Sequence, residues 1–290
     1  MVLACRSERM KSLIGMLACI DCLSGHLLSD EVSGEIRCQD CSSIFKVVRD
    51  IPAFVPSELL NYSEVPLSER ETFLKMKSLA YSGDSAVSRM YNHYHRYAAR
   101  KRSELGEKRL TVDVGFGIGE HFPFISEKEK VAGAFIGVDL DRFKLEHFSS
   151  THPEIPVVQA SAFRLPFAAG SVDLVQFLAT LEHFSPGEIT GLLDEALRIL
   201  KPGGSLIACY PAEGGLLLKL GQRVMHTYLK GRTGFDLDKG AVHRHLTGAG
   251  EIRSLLGGRK ELERLESLFY PFGVKSVGFS LFINELYRKR

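Results

Sequence analysis

The sequence predicts an α/β protein: a parallel sheet with helices on both faces, preceded by a small cysteine-bearing module. Three observations predict it. Short apolar runs at 110–114, 135–139, 155–158, 172–177 and 204–210 alternate with helical stretches, the pattern of repeated strand–helix–strand crossovers. The first run ends at Asp113 and leads into glycines at alternate positions, Gly115, Gly117 and Gly119; the second, Phe135-Ile-Gly-Val138, ends in Asp139, twenty residues after Gly119. Upstream, Cys19-x-x-Cys22 is followed by Cys38-x-x-Cys41 with fifteen residues between the pairs.

Size and composition set the bounds. A chain of 290 residues suits one large or two modest domains. Its 44% hydrophobic and 25% charged residues are ordinary for a globular protein, and a net charge of +2 does not by itself point to a polyanionic partner. The N-terminal stretch is interrupted by Arg6, Glu8 and Arg9, so no export signal is expected there. No apolar run is long enough to span a bilayer. The expectation is a cytosolic protein, with Met1, Met10 or Met16 as its start.

Each cysteine pair presents two thiolates to one edge of a tetrahedral ion, so Cys19, Cys22, Cys38 and Cys41 are expected to hold one structural zinc ion in a ribbon over residues 13–58. The segment is too short to build its own core, and the metal would hold it together. The other reading is two disulfides or four idle thiols. Against it stand the missing export signal and the concentration of cysteines in this cluster. Cys5 falls in a stretch expected to fray, and Cys209 in the fifth strand as a small buried apolar residue.

Ser57 to Glu69 reads as a polar linker, and Thr72 to Leu105 as two helices broken at Ser82-Gly-Asp84. The main domain, 70–290, has its strand–helix core from about Arg109. Glu263 to Tyr270 and Lys275 to Tyr287 are expected as two further strands. Between them and the fifth strand lies an insertion, 212–257, with an apolar helical start at Gly214 to Leu220 and a loop at Gly231 to Gly240.

A strand, a glycine-rich turn, a helix and a second strand capped by an acid make a nucleoside-binding layout. Glycines let the backbone approach the ligand, and the acid accepts hydrogen bonds from ribose hydroxyls. The spacing is G-x-G-x-G and not the G-x-G-x-x-G of dinucleotide sites. Three further features follow in order: Arg164-Leu-Pro-Phe-Ala-Ala-Gly-Ser-Val-Asp-Leu-Val175, Leu181-Glu-His183, and Lys201-Pro-Gly-Gly204 opening the fifth strand. On these residues the stretch from about Leu110 to Pro211 resembles the class I S-adenosylmethionine (SAM) dependent methyltransferases of the type 11 kind. The resemblance implies a Rossmann-like, doubly wound, seven-stranded sheet with its last strand antiparallel, and SAM as cofactor. It implies that Asp113, Gly115, Gly117 and Gly119 form the first cofactor motif, that Asp139 and Leu140 meet the ribose, and that Ser161 and Ala162 meet the adenine. It also makes the 212–257 insertion a cap over the acceptor pocket. The sequence departs from the family at Ser161, where an acid usually stands, and at Phe116, usually a cysteine. Phe116 either packs on the cofactor or fills core volume. Ile44-Phe-Lys-Val-Val-Arg-Asp-Ile-Pro-Ala-Phe-Val-Pro56 resembles the tail of the zinc-ribbon activator proteins that partner methyltransferases, departing in Arg49 before Asp50 and in the lack of a following glycine.

Asp113 either orders the glycine turn or caps a helix. His183, after the fourth strand of the core, is the candidate catalytic base if the acceptor is a hydroxyl or protonated amine; the alternative is a histidine that caps its loop. His121 is expected near the methionine end of the cofactor. Arg96 or Arg100 either pairs with the methionine carboxylate or lies on a solvated helix face. His243-Arg-His245 is a weak pair facing the acceptor at best. Tyr91-Asn-His-Tyr-His-Arg-Tyr97 with Arg100-Lys-Arg102 is either a nucleic-acid surface or a helix buttressing the pocket.

Three functions follow. The first is a SAM-dependent methyltransferase acting on a small-molecule or glycan-like acceptor, at oxygen or nitrogen. The second is an rRNA or tRNA methyltransferase with RNA as partner; residues 1–60 carry six basic and eight acidic side chains, a poor balance for reading phosphates. The third is a non-catalytic SAM-binding scaffold, against which stand the intact glycines and Asp139.

Overall fold

The computed structural model describes residues 2–30, 32–83, 85–106, 109–233 and 245–290. Its strands are β1 (Leu27–Asp30), β2 (Glu35–Cys38), β3 (Ile44–Val48), β4 (Ile51–Phe54), β5 (Thr111–Val114), β6 (Phe135–Asp139), β7 (Val157–Ala160), β8 (Val172–Leu178), β9 (Leu200–Pro211), β10 (Leu262–Pro271) and β11 (Ser280–Lys289). Its helices are α1 (Val2–Ile14), α2 (Arg70–Tyr81), α3 (Ala86–Tyr91), α4 (His93–Leu105), α5 (Glu127–Ala132), α6 (Arg142–Thr151), α7 (Pro186–Ile199), α8 (Leu216–Thr233) and α9 (Ala249–Gly258).

All the strands join one sheet in the order β1-β2-β3-β4-β7-β6-β5-β8-β9-β11-β10. From β7 to β10 this is a Rossmann-like, doubly wound, seven-stranded arrangement. Strands β7, β6, β5, β8 and β9 are parallel, and β11 inserts antiparallel between β9 and β10. The sheet is nevertheless eleven-stranded, and the expected count of seven is corrected by the cysteine-bearing segment. Strands β1 to β4 form an antiparallel meander, and β4 pairs in parallel with β7, Ala53 opposite Gln159 and Phe54 opposite Ala160.

The physical reason lies in the two strands that meet. Every residue of β4 and of β7 is buried, so each edge would otherwise leave apolar side chains and unpaired amides in water. Apolar residues of the meander and its approach, Leu13, Leu17, Ile36, Phe45 and Phe54, pack in one continuous core with Val138, Val158 and Phe167. Ala18 N donates to Pro166 O at 2.9 Å, and Arg164 Nε to Ile20 O at 2.7 Å. The Arg49–Asp50 departure is the β3–β4 hairpin turn itself: both residues have positive φ, 48° and 61°, as a two-residue primed turn requires. Arg49 Nη1 then donates to Glu146 Oε2 on α6 at 2.6 Å.

Several local expectations are revised. The stretch with Cys5 forms α1. The region 72–105 holds three helices, because Asn92 interrupts α3 and α4; Asp84 lies outside the described residues. Lys201-Pro-Gly-Gly204 lies inside β9, where a register shift against β8 and φ of +73° at Gly203 absorb the turn. Helix α8 runs on to Thr233, past the expected start of a loop, and the remainder, 234–244, lies outside the described residues. The fifth strand buries Cys209 as expected. Among the described residues no helix is long and apolar enough to cross a membrane.

Because β4 belongs to the main sheet, Phe54→Ala should destabilise the whole chain by about 3–5 kcal/mol, the usual cost of emptying a buried phenylalanine site. Urea unfolding followed by far-UV circular dichroism should show one transition moved to lower denaturant. A separate early transition with the main one unmoved would mean that the ribbon strands unfold independently.

Candidate active site

The parallel strands all end on one side of the sheet, and the connections leaving them enclose a cavity of about 1040 Å³. Its position is the one α/β sheets favour for ligands, at the carboxyl ends of strands where the winding direction reverses between β5 and β8.

The glycine turn after β5 forms one wall. Gly115 and Gly119 have φ of +80° and +82°. A Cβ at Gly115 would lie 2.5 Å from Thr180 Cγ2, and one at Gly119 would lie 2.1 Å from the Phe148 ring. Only glycine permits both the conformation and the approach. Asp139, at the end of β6, braces the turn: Oδ2 accepts from Gly117 N at 2.8 Å and Oδ1 from Asp141 N at 2.9 Å. Burial raises its pKa, while Lys144 and these amides work the other way. A carboxylate has about four acceptor sites, so both oxygens retain capacity toward the cavity.

Asp113 is fully buried and lines the cavity, and its Oδ1 has no hydrogen-bond partner. Burial pushes its pKa up to about 7, against the pull of Gln176 and Arg102. It caps no helix; β5 carries it into the base of the turn. Leu140, Ser161 and Ala162 also line the cavity. Ser161 Oγ accepts from Phe163 N at 3.3 Å. Phe116 fills core volume, edge-on to Phe148 at 4.8 Å in a cluster with Phe135 and Leu145, and it also borders the cavity.

His183 lies in the 3-10 turn Leu181–His183 after β8 and lines the cavity. Its ring is T-shaped to that of His245 at 5.2 Å. His245 Nδ1 meets Glu213 Oε1 at 2.5 Å. Burial disfavours its charged form, but Glu213 and Glu182 outweigh this and raise its pKa. His243 lies outside the described residues. The backbone before Thr180 is strained, with Ala179 at φ +55°, a conformation that non-glycine residues adopt at a cost and mostly at functional sites.

Arg96 and Arg100 do not line this cavity. Arg100 pairs with Glu266 at 3.4 Å, and Arg96 lies over the Phe124 ring. The aromatic and basic run forms α4, whose Tyr94, His95, Tyr97, Lys101 and Arg102 are buried against the sheet. Arg102 Nε donates to Glu129 Oε1 at 2.6 Å, and Arg102 also donates to His121 Nε2. That places the His121 proton on Nδ1, where it is donated to His95 Nδ1 at 3.0 Å. Burial, with Arg102 close by, holds His121 well below the usual histidine range, and burial lowers His95 to about 3. Both are neutral, and His95 Nε2–H is left without a partner beside the cavity.

Sequence reasoning missed Tyr62 and Glu64 in the supposed linker, and Lys77, Tyr81, His95, Thr180, Glu182 and Glu213, all on the cavity wall. Two of them had a usable signal: Glu182 stands beside His183 in the Leu-Glu-His turn, and His95 lies in the Tyr91–Tyr97 run read as a possible buttress of the pocket. The four ribbon cysteines cluster apart from this cavity, with their sulfurs within 4.8 Å of one another. Cys19 and Cys41 Sγ are 3.5 Å apart, as are Cys22 and Cys38.

The family model described as a methyltransferase domain matches residues 112–208. The match covers about a third of the chain. Part of the chain is similar to a demethylmenaquinone methyltransferase of Corynebacterium kroppenstedtii, 30% identical over 116 residues that make up 39% of this chain and 47% of the relative. An uncharacterized methyltransferase of Synechocystis is 28% identical over 99 residues, 34% of this chain and 44% of that one. The chain thus spans about half the length of the curated relatives it matches. Among solved structures, a protein of Pyrococcus horikoshii superposes with a TM-score of 0.55 at 16% identity, over 75% of this chain and 98% of that one. Magnesium protoporphyrin IX methyltransferase of Synechocystis, with bound SAH, superposes with a TM-score of 0.51 at 15% identity, over 77% and 95%. These likenesses establish the fold. Within the matched stretch the glycine turn follows β5, and Asp139 ends the neighbouring strand β6.

The burial of Asp113 has a pH signature. An acid whose folded pKa lies above its unfolded value holds its proton more tightly when folded. That contribution is present in full below the unfolded value near 3.8 and is lost as pH rises through about 7. Relative to Asp113→Asn, the wild type should therefore lose roughly 2–4 kcal/mol of stability between about pH 4 and 8. Paired urea titrations across that range measure it; equal pH profiles would show Asp113 ionised in the folded protein.

Proposed function

We propose that the protein is a SAM-dependent methyltransferase acting on a small-molecule or saccharide acceptor at oxygen or nitrogen, with residues 70–290 as the methyltransferase unit and 13–58 as a zinc ribbon. The observation that carries this reading is the glycine turn from Gly115 to Gly119 held against Asp139 at the wall of a large cavity, in a stretch that matches the methyltransferase family. The family and the relatives support the reaction class; the acceptor is argued from the cavity.

The residues present fit the cofactor. Asp139 has acceptor capacity for the ribose hydroxyls, Leu140 lies beside it, and Ser161 with Ala162 would border the adenine. The positively curved backbone at Gly115, Gly117 and Gly119 would pass close to the amino-acid end, where His95 Nε2–H offers an unpartnered donor and Asp113 Oδ1 an unpartnered acceptor. Bound SAM supplies a methyl group on a positively charged sulfur that is already a good leaving group. What remains for the protein is to orient the acceptor, and near-attack positioning can supply roughly 7–11 kcal/mol. His183 is the acceptor-side residue that assists loss of the acceptor's proton.

The ribbon cysteines suit zinc. Sulfurs about 2.3 Å from a tetrahedral ion stand roughly 3.8 Å apart, close to the 3.5 Å of the two nearest pairs. Cys38→Ser should release that ion, as read by elemental analysis.

The RNA reading loses support in α4, where Tyr94, Tyr97, Lys101 and Arg102 are buried and only Arg96 and Arg100 of its arginines and lysines are exposed. A partner of about six phosphates would need exposed basic side chains arranged on one face. The test is to incubate the protein with labelled SAM and, in parallel, total RNA or a metabolite and saccharide extract. Label in the small-molecule fraction is expected, and salt-sensitive label in RNA would overturn the acceptor assignment. By calorimetry, Asp139→Ala should weaken SAM binding by roughly 1–3 kcal/mol, the scale of lost charge-assisted hydrogen bonds. Unchanged binding would remove Asp139 from the cofactor site.

A further inference from the structure

On the cavity wall, two connections, the turn after β8 and the segment before α9, bring together Glu182, His183 and His245. Glu182 and His183 share the 3-10 turn after β8. His245 is held beside them because Leu246 N donates to Glu182 O at 2.7 Å and Thr247 Oγ1 to Phe184 O at 2.6 Å. One potential ligand atom from each of the three lies within 4.8 Å of the other two.

Two features of this cluster are not explained by methyl transfer alone. Glu182 is 1% exposed, and its Oε2 has no hydrogen-bond partner. A buried carboxylate oxygen is normally paired, because leaving it unpaired forfeits its hydration without replacement. Lys77, whose charge reaches Glu182, is bonded instead to Glu120 at 2.7 Å. The second feature is the Glu213–His245 contact. A carboxylate on Nδ1 fixes the ring and leaves Nε2 as the nitrogen with a free lone pair, the arrangement that prepares histidines for metal ions.

We propose that Glu182, His183 and His245 bind a divalent transition-metal ion, with Glu213 orienting His245, and that an oxygen of the acceptor takes an open position on that ion. Two histidines and one carboxylate are a donor set for zinc-class ions that leaves room for exogenous ligands. Ligands of one such ion stand about 3–4 Å apart, and the candidate ligand atoms here already lie within 4.8 Å of one another. The ion supplies the missing partner of Glu182 Oε2. It also gives the acceptor a chemical class: a hydroxyl compound, with adjacent oxygens if it chelates, as in a saccharide diol. Coordination lowers the pKa of the bound hydroxyl; the O–H bond breaks, the proton passes to solvent, and the electron pair stays on oxygen. In this scheme His183 assists proton loss as a ligand. The inference rests on the methyltransferase reading for its acceptor, but the metal site itself can be measured without turnover.

The experiment uses the full chain with its ribbon ion in place, titrated with cobalt(II). Wild type should bind one further equivalent, showing visible d–d bands without the sulfur-to-cobalt charge-transfer absorption of a thiolate site. Glu182→Gln and His245→Ala, each checked for native circular dichroism, should weaken that binding at least tenfold, and zinc should displace the cobalt. SAM binding, followed by calorimetry in the same samples, should persist in both variants. The absence of a saturable equivalent in wild type would overturn the proposal, as would unchanged cobalt affinity in both variants. Failure of wild type to bind SAM while cobalt binding stands would overturn the cofactor reading and leave the metal site intact.

Discussion

The central constraint on this molecule is the parallel pairing of β5 with β6 on one side and β8 on the other. Winding outward from β5 in both directions leaves a crevice at the strand ends that no crossover helix covers. Asp113 and the glycine turn leave β5 into that crevice, Asp139 reaches it from β6, and the Glu182–His183 turn enters it from β8. From Asp113 to His183 these residues span 70 positions in the chain, and one strand order brings them to a single cavity. The glycine turn survives there because Thr180 and Phe148 occupy the space that side chains at Gly115 and Gly119 would need. Substrate-facing and structural demands thus fall on the same few residues.

The cysteine-bearing segment depends on the same sheet. A four-cysteine ribbon needs little core of its own, yet here β4 completes the hydrogen bonding of β7, and Phe45 and Phe54 stack at 4.7 Å within the continuous core. The edge that a Rossmann-like sheet would leave at β7 is covered covalently by its own N-terminal strands. Arg49–Glu146 adds an exposed ion pair to α6, worth little beside that apolar burial. The consequence is mechanical: the ribbon cannot swing as a free module while β4 is paired, so any part it plays in recognition is made from a fixed position.

Buried charge is concentrated around the cavity. Arg102 is placed among Glu129, His121 and the carbonyl of Phe124, and its guanidinium helps keep two histidines neutral. Lys144 sits between Asp139, Glu64 and Asp141, and although burial disfavours its charge, those three acids raise its pKa. Such sites cost desolvation energy that hydrogen bonds must offset. Three of the ten buried side-chain atoms left without a partner among the described residues, Asp113 Oδ1, His95 Nε2 and Glu182 Oε2, belong to cavity-lining residues, where a ligand can complete the set.

The order of strands and helices in the core, the glycine turn, Asp139, the paired cysteines and the burial of Cys209 were legible in the sequence. Each rests on local chemistry: side-chain periodicity, the backbone freedom of glycine, or ligand spacing within a few residues. Leu-Glu-His was visible as a turn, but the importance of Glu182 was not, because its surroundings are built by Glu213 and His245, 31 and 63 residues further on. The eleven-strand count and the entry of Tyr62 and Glu64 into the cavity wall were likewise decided only in three dimensions. Sequence records which face of an element is apolar; it does not record which edge that element will pair with, or which distant side chain will fill the space beside it. The N-terminal strands show the difference most plainly, since Ile51-Pro-Ala-Phe54 reads as the end of a ribbon until Val157–Ala160 is placed beside it.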